Sequence, residues 1–337
     1  MTTLVTGGGG FLGQAVVALL ATRGARVRTF SRRRYPALAA WGADQRLGDV
    51  RDAEAVADAC RGVECVLHIA ALPGIAVRAE PYYATNLQGT RHVLAACRAQ
   101  GVPRLVHCSS PSVTFAGQDQ QGVDESAPLG LAWLARNRAY YSHSKALAER
   151  EVLAANGPDL RTCALRPHLI WGPRDGHLAP RLIDRARRGR LRRIGAGANR
   201  IDITYVDNAA EAHLLAADAL AAADSPAAGK AYFLSQGEPV LCWRWIDQVL
   251  ALADLPPVRR SLSAAAAWRI GHALEGAYRV LRRAGEPPMT RFLAAQLAQS
   301  HWFDITAARR DLGYAPRVGT EEGMRRLAAW LAELPRP

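Results

Sequence analysis

A glycine-rich turn near the start of the chain constrains the fold more than any other stretch. Residues 2–6 form a short apolar strand, residues 7–13 read GGGGFLG, and residues 14–23 repeat apolar side chains at helical spacing. A strand, a tight glycine turn and a helix in this order present backbone amides and a helix N-terminus to a pyrophosphate. Two glycine spacings typical of dinucleotide sites fit at once. The predicted contacts are Gly7, Gly10, Phe11, Leu12 and Gly13.

The second predicted strand, residues 26–30, ends in basic residues. Ser31 is followed by three arginines at 32–34, and no Asp or Glu occurs before Asp44. NAD-binding proteins usually carry an acid here, which holds the ribose hydroxyls, whereas a nearby arginine accommodates the 2′-phosphate of NADP. The segment therefore favours NADP(H) over NAD. The predicted contacts are Ser31, Arg32 and Arg33.

Strands and helices continue to alternate up to about residue 170, which predicts an α/β fold with a Rossmann-like, doubly wound parallel sheet. Ligands bind such a sheet at the carboxyl ends of its strands. The ends of the predicted strands 45–47 and 65–71 therefore add candidate cofactor contacts at Asp49, Val50, Ala70 and Ala71. After residue 173 the chain becomes more helical. We predict an NADP-binding domain over 1–170 and a smaller, mostly helical substrate-binding lobe over 171–337, with segments near 201–215 returning to the first domain.

Tyr141 and Lys145 lie four residues apart on a predicted helix that ends near Ala155, so their side chains share one face. An ammonium near a phenol lowers the pKa of that phenol, which makes tyrosine usable as a general acid or base near neutral pH. Of the 43 basic residues only Lys145 and Lys230 are lysines, so a compact ammonium stands where this chemistry needs one.

Two other polar positions point to the same edge of the sheet. The predicted strand 104–108 ends in Ser109-Ser110, whose hydroxyls would face a ligand there. Asn86 falls inside a predicted helix over 82–100. Because an asparagine within a helix competes for backbone hydrogen bonds, we expect its side chain to have a specific partner.

Composition excludes several classes of protein. The net charge of +13 comes without any nucleic-acid-binding motif, so we interpret it as arginines spread over solvated faces. No apolar run is long enough for a membrane span, and from residues 1–6, which lead directly into the glycine turn, we expect no signal peptide. The six cysteines include no CxxC pair and no zinc-site spacing, so we expect reduced thiols, no metal and a cytoplasmic location.

With these residues in place, the chain resembles the extended short-chain dehydrogenase/reductase superfamily over nearly its full length. The shared motifs are Thr6-Gly7-x-x-Gly10-x-x-Gly13, Asp49-Val50, Asn86, Ser109-Ser110, Tyr141-x-x-x-Lys145 and Arg166-Pro167-x-x-Ile170-x-Gly172-Pro173. Two further stretches, 204–210 with His213 and 229–239, look like the 3β-hydroxysteroid dehydrogenase branch.

The resemblance implies a role for each of these residues. Tyr141 would protonate the substrate carbonyl oxygen, and Lys145 would lower the pKa of Tyr141 and hold the nicotinamide ribose. Ser110, with Ser109 as the alternative, would hydrogen-bond the same oxygen, and Asn86 would order a proton relay. The cofactor contacts would extend to Tyr141, Lys145, Arg166, Pro167 and Ile170.

A closer likeness is to bacterial reductases that convert 2-alkyl-3-oxoalkanoates to 2-alkyl-3-hydroxyalkanoates with NADPH during long-chain olefin biosynthesis. It rests on residues 166–173, 286–293 and 308–316. The substrate would be a hydrophobic small molecule. His168 or Arg174 would bind its carboxylate. Candidates for the apolar cleft are Leu72, Ile75, Trp133 and Trp171.

Other functions remain open at this stage. A 3β-hydroxysteroid dehydrogenase would use much the same cleft, and a nucleotide-sugar epimerase or dehydratase would use the same triad with the arginines at 190–193 and Arg200. A non-catalytic NADP-binding regulator would not need the triad.

A basic amphipathic pattern covers residues 262–283. Ile270, Leu274, Ala277, Tyr278 and Leu281 recur at helical spacing, with basic residues on another side. Such a helix could lie on an anionic membrane as a peripheral contact, dock a partner protein, or simply cover the substrate lobe. The sequence also leaves a homodimer open.

Overall fold

The computed structural model describes residues 2–176 and 178–334. In chain order its strands are β1 (Thr2–Thr6), β2 (Arg26–Ser31), β3 (Asp44–Leu47), β4 (Cys65–His68), β5 (Arg104–Cys108), β6 (Gln120–Val123), β7 (Arg161–Pro167), β8 (Ile170–Trp171), β9 (Arg193–Ile194), β10 (Arg200–Ile201), β11 (Thr204–Tyr205), β12 (Lys230–Leu234), β13 (Val240–Leu241), β14 (Ser261–Leu262) and β15 (His301–Phe303).

The helices, again in chain order, are α1 (Phe11–Thr22), α2 (Pro36–Ala40), α3 (Ala53–Ala59), α4 (Glu80–Tyr82), α5 (Gly89–Ala99), α6 (Leu131–Arg136), α7 (Tyr140–Ala154), α8 (Leu178–Arg187), α9 (Val206–Ala219), α10 (Cys242–Ala251), α11 (Ala264–Val280), α12 (Arg291–Ala298), α13 (Thr306–Leu312) and α14 (Thr320–Glu333). A π-helical segment spans Tyr83–Gln88, and a 3₁₀ turn spans Pro111–Thr114.

A seven-stranded sheet organises the fold. Its strand order is β12-β7-β5-β4-β1-β2-β3, and every neighbouring pair is parallel. The order reverses at β1, which pairs with β2 on one side and β4 on the other, and this is where doubly wound sheets open a ligand crevice. The predicted α/β class with a doubly wound parallel sheet is therefore confirmed.

Both faces of the sheet are buried. Val5 and Leu67 pack into the core under α1 and α9, while their strand neighbours Leu4 and Val66 pack on the opposite face with residues of α3 and α5. This two-residue alternation with apolar side chains on both sides is what a parallel sheet covered by helices requires.

Two predicted elements differ from the structure. The strand predicted over 65–71 ends at His68, because Ala70 leaves the sheet and lies so close to the glycine turn that a Cβ at Gly7 would be 2.8 Å from its Cα. The helix predicted over 82–100 is interrupted by the π-helical segment, which holds Asn86. Such π-helical insertions often mark functional sites.

Residues beyond 170 contribute to both parts of the molecule. Helix α9 packs on α1, and β12 pairs with β7 as an edge strand of the main sheet. A smaller four-stranded sheet, β13-β10-β15-β6, includes β6 from the first part of the chain. The division at residue 170 stays a prediction. In the described part of the chain, no helix is long and apolar enough to cross a membrane.

Candidate active site

The glycine turn forms a cradle that side chains would fill. Gly7 has φ of +69°, and a Cβ at Gly13 would lie 2.2 Å from the carbonyl oxygen of Gly7. Gly10 precedes the first turn of α1, and within residues 2–176 and 178–334 no side chain caps this helix start and no acid lies in its first turn. The exposed amide groups and the positive end of the helix dipole fit a dinucleotide pyrophosphate.

The end of β2 lies against this cradle. The Ser31 hydroxyl accepts a hydrogen bond from the Gly9 amide at 3.3 Å. Tyr35, which sequence reasoning missed, covers the turn so closely that a Cβ at Gly9 would be 2.0 Å from its ring. The Arg33 guanidinium lies 4.9 Å from the centre of that ring. Arg32 and Arg33, which follow Ser31 at the end of β2, are both exposed.

Asp49 lies within reach of the same charges. Arg51 binds its carboxylate with two hydrogen bonds of 3.0 and 2.8 Å. These bonds, with a contribution from the charge of Arg32, lower the pKa of Asp49. Val50 is buried against α5, where its carbonyl oxygen bonds His92 Nδ1 at 2.9 Å. Ala70 and Ala71 follow β4 and are partly exposed beside the cradle.

Tyr141 and Ser110 meet at the carboxyl end of β5. The structure places Ser110, rather than Ser109, close enough to Tyr141 for its side chain to influence the pKa of the phenol, whereas the Ser109 hydroxyl is buried. Ser110 is further held by Ser112, whose hydroxyl is 2.9 Å away and which also receives the Ser142 hydroxyl at 2.9 Å. This network fixes the Ser110 hydroxyl beside the phenol.

The pKa of Tyr141 differs from the sequence expectation. Burial raises the pKa of Tyr141 well above its ordinary value, and the nearby Ser110 side chain opposes this only in part. Burial, and not the charge of Lys145, dominates this pKa, so the predicted lowering is not seen in this structure. A phenol with a raised pKa is fully protonated at neutral pH, which is the form that a proton donor needs.

Lys145 is almost wholly buried on the face of α7 that meets the sheet. Its Nζ donates to the Cys108 carbonyl at 2.5 Å and lies 3.0 Å from His107 Nε2. Burial lowers the pKa of Lys145 to about 8. Burial and the ammonium together lower the pKa of His107, so His107 faces Lys145 as a neutral ring. Sequence reasoning missed His107, because this residue lies inside β5 and belongs to no recognisable motif.

Asn86 has the specific partners that its position predicts. Its side-chain oxygen accepts from the Leu72 amide at 2.7 Å, and its nitrogen donates to the Leu72 carbonyl at 3.1 Å and to the Ser144 hydroxyl at 3.1 Å. Asn86 thus ties the loop after β4 to the residue next to Lys145. Its role in a proton relay stays a prediction.

The predicted cofactor residues Arg166, Pro167 and Ile170 are more buried than the exposed arginines beside the glycine turn. Arg166 is buried, and its guanidinium binds Glu149 of α7 through bonds of 3.0 and 2.6 Å. It also stacks 4.9 Å from the Phe233 ring. Its side chain therefore joins β7 to α7, and its predicted cofactor contact remains untested. Pro167 is buried at the end of β7, while Ile170 is half-buried in β8.

A small cavity, open to solvent, lies beside Tyr141. Its lining has an apolar part and a cationic part. The lining includes the apolar Ile75, Val77 and Phe292, the cationic Arg138 and Arg279, and the acidic Glu275. Behind it, Trp133 contacts Phe115, Phe292 and Trp268 at ring distances of 5.0 to 6.5 Å.

Glu286 anchors one wall of the cavity. Its carboxylate accepts from the Ile75 amide at 3.1 Å and pairs with Arg181 at 2.8 Å. The Tyr82 hydroxyl accepts from the Ala76 amide at 2.9 Å and fixes the same loop. Glu286 belongs to one of the tail motifs that suggested a reductase, and its position gives that motif a physical role.

Two predicted substrate contacts lie away from this cavity. His168 is buried between the Asp202 carbonyl at 2.6 Å and His301 Nδ1 at 2.8 Å, and burial lowers its pKa. It therefore supplies no cation there. Trp171 is fully buried against Tyr205 and Trp245 in the core. Of the predicted apolar residues, Ile75 lines the cavity and Trp133 packs behind it. Among the described residues, no cluster of His, Cys, Asp or Glu could hold a metal ion.

A doubly wound sheet with a glycine cradle after β1, and with Ser110, Tyr141 and Lys145 gathered at the end of β5, defines a short-chain dehydrogenase/reductase. The chain belongs to the 3-beta hydroxysteroid dehydrogenase/isomerase family, whose sequence model matches residues 4–260.

Its relatives are similar over nearly the whole chain. A 2-alkyl-3-oxoalkanoate reductase from Stenotrophomonas maltophilia is 49% identical and covers 98% of this chain and 99% of its own. One of the same name from Shewanella oneidensis is 45% identical, covering 97% and 85%. A 3 beta-hydroxysteroid dehydrogenase/Delta 5-->4-isomerase from Mycobacterium tuberculosis is 36% identical, covering 95% and 88%.

Solved structures agree with the fold. The crystal structure of gox2253 superposes with a TM-score of 0.77 at 27% identity and covers 98% of both chains. The structure of MoeE5 in complex with UDP-glucose and NAD has a TM-score of 0.75 at 25% identity, covering 98% of this chain and 99% of MoeE5.

Proposed function

We propose that this protein is an NADPH-dependent reductase that converts a 2-alkyl-3-oxoalkanoate to the 2-alkyl-3-hydroxyalkanoate, as in long-chain olefin biosynthesis. The observation that carries the proposal is the full-length similarity to reductases of that name, at 49% and 45% identity. The Tyr141 cavity supports it, because an apolar wall and two arginines suit an acid with alkyl arms.

The residues of the site suit carbonyl reduction. Bound NADPH supplies the hydride. Tyr141 gives its phenolic proton to the carbonyl oxygen, which becomes the hydroxyl oxygen of the product. The Ser110 hydroxyl, held by Ser112, stabilises the negative charge that develops on that oxygen. Lys145, buried with a pKa of about 8, provides a positive charge near the site at neutral pH.

A nicotinamide dinucleotide fits the glycine cradle, and we propose that NADP(H) is preferred. Arg32 and Arg33 are exposed where the cradle meets the end of β2, and the first acid of the chain, Asp44, is paired with Arg28 and Arg46. The 2′-phosphate would therefore meet guanidiniums and no unpaired carboxylate from this segment.

A 3β-hydroxysteroid dehydrogenase is the second candidate, and the family match and the Mycobacterium tuberculosis relative favour it. The test runs in the oxidative direction, because 3-oxo acids decarboxylate readily. The purified protein is given NADP⁺ with a 2-alkyl-3-hydroxy acid or with a 3β-hydroxysteroid, and NADPH formation is followed. We expect turnover of the hydroxy acid. Oxidation of the steroid without turnover of the hydroxy acid would reject the proposal and select the second candidate.

A further inference from the structure

We infer that Arg138 and Arg279 form a carboxylate-binding pair at the mouth of the Tyr141 cavity, through which the enzyme selects acids over their uncharged analogues. The inference rests on the proposed function, because it assigns the group that would bind the acid end of that substrate. Of the two cations that the sequence suggested for this group, His168 is buried against His301, and Arg174 is exposed but is not among the residues that line this cavity.

The two arginines reach the cavity from different parts of the chain. Arg138 lies two residues before α7, the helix that carries Tyr141, and has φ of 56°, a conformation that non-glycine residues seldom adopt. Arg279 lies in the last turn of α11, where its Nε donates to the Glu275 carbonyl at 3.2 Å. That bond leaves the two terminal nitrogens of Arg279 available. Both side chains are exposed and line the cavity.

The acid in this lining does not neutralise them. Glu275 is buried and is held by Arg291: one oxygen accepts from the Arg291 amide at 2.7 Å, and the other from its guanidinium at 3.0 and 2.9 Å. Across residues 2–176 and 178–334, neither Arg138 nor Arg279 forms an ion pair with an acidic side chain. The cavity mouth therefore keeps two positive charges.

The cavity lining offers a partner for each part of a 2-alkyl-3-oxo acid: the carbonyl, the carboxylate and the alkyl arms. The carbonyl must reach Tyr141, and in a 3-oxo acid the carboxylate is separated from it by one carbon. Arginine binds a carboxylate through paired N–H donors, which fixes orientation as well as adding affinity. Ile75, Val77 and Phe292 offer the apolar surface for the alkyl arms.

The test compares Arg138→Gln and Arg279→Gln with the parent, using NADP⁺ and either a 2-alkyl-3-hydroxy acid or its methyl ester. Arg136→Gln is the matched control, since Arg136 is an exposed arginine of α6 that does not line the cavity. Losing a charge-assisted hydrogen bond should raise KM for the acid by about tenfold to a hundredfold. KM for the ester should change by less than about threefold, and Arg136→Gln should leave both substrates unchanged.

The outcomes separate this inference from the proposed function. If the parent uses acid and ester equally, or if the variants lose both substrates alike, the carboxylate pair is refuted while the reductase assignment stands. If the parent oxidises neither compound but oxidises a 3β-hydroxysteroid, the proposed function has failed instead.

A different observation concerns the outer face of α11, defined here as Ile270, Ala273, Ala277, Val280 and Leu281. We propose that this face docks on an anionic lipid bilayer. The side of α11 that packs inward consists of Ala267, Gly271 and Glu275; a Cβ at Gly271 would lie 2.5 Å from the Thr290 carbonyl carbon. The outer face remains uncovered, with Ile270, Val280 and Leu281 exposed by 43%, 82% and 66%.

The charges beside this outer face favour an anionic lipid surface over other binding partners. The exposed basic residues Arg269, Arg282 and Arg283 lie on or next to this face. Glu275 is the only acid between residues 264 and 284, and Arg291 neutralises it. Apolar side chains flanked by unopposed arginines are what an interfacial helix presents to anionic lipid.

Vesicle flotation at low salt tests this surface. The parent should float with vesicles of phosphatidylcholine and phosphatidylglycerol and not with phosphatidylcholine alone. The double variant Val280→Ser/Leu281→Ser should stay at the bottom of the gradient, while Leu241→Ser, a change at an exposed leucine of β13, should float like the parent. A parent protein that does not float, or a double variant that floats as well as the parent, overturns the proposal.

Discussion

The buried pair between Glu149 and Arg166 allows a sharp prediction. Both carboxylate oxygens of Glu149 accept from the Arg166 guanidinium, at 2.6 and 3.0 Å, and the side chains are only 0% and 4% exposed. In Glu149→Gln the guanidinium stays buried without its ion-pair partner. Breaking one partner of such a pair costs about 3–5 kcal/mol in the free energy of unfolding.

The same helix offers a matched control. Two residues further on, Glu151 binds Arg91 with the same geometry, at 2.6 and 2.8 Å, but these side chains are 30% and 49% exposed. Solvent screens this pair, so Glu151→Gln should cost only about 0.2–1 kcal/mol. The contrast isolates burial, because helix, residue type and bond lengths are alike.

Urea unfolding followed by circular dichroism measures both variants against the parent. At about 2 °C for each kcal/mol, thermal unfolding should also move by about 6–10 °C for Glu149→Gln and by about 2 °C or less for Glu151→Gln. Equal losses in the two variants would refute the claim that burial decides the cost.

A second readout is the pKa of Lys145. The charge of Glu149 raises this pKa, so Glu149→Gln should lower it below about 8.

Three further predictions concern catalysis. Tyr141→Phe removes the proposed proton donor, so kcat should fall by about 10² or more while cofactor binding, measured by fluorescence titration, is retained; near-parental turnover would exclude Tyr141 as the acid. Arg32→Ala/Arg33→Ala should raise KM for NADPH much more than for NADH, with Arg34→Ala as the control, and equal use of both cofactors by the parent would contradict the preference for NADPH. Because the folded pKa of Lys145 is lowered to about 8, its positive charge is lost as pH rises through 8. Reductase kcat/KM should therefore decline above about pH 8, and a flat profile up to pH 10 would show that the charge of Lys145 is not needed.

Local sequence determined much of this protein. The glycine turn, the strand before it and the helix after it follow from adjacent residues, because only glycine tolerates the close backbone approaches at Gly7 and Gly13. Tyr141 and Lys145 share a helix face because they are four residues apart. The alternation of apolar strands and helices likewise predicts a parallel sheet, since βαβ connections run in one direction.

Tertiary structure decided what depends on residues far apart in the chain. No pattern pairs His168 with His301, which are 133 positions apart, so a histidine that looked like a substrate ligand is held in the core. Nor does the sequence show that Tyr35 covers Gly9, that His107 faces Lys145, or that Arg291 neutralises Glu275. The pKa of Tyr141 departs from the sequence expectation for the same physical reason. The sequence shows which charges are near along a helix, but desolvation depends on everything that packs around the phenol, and here burial is the largest influence on its pKa.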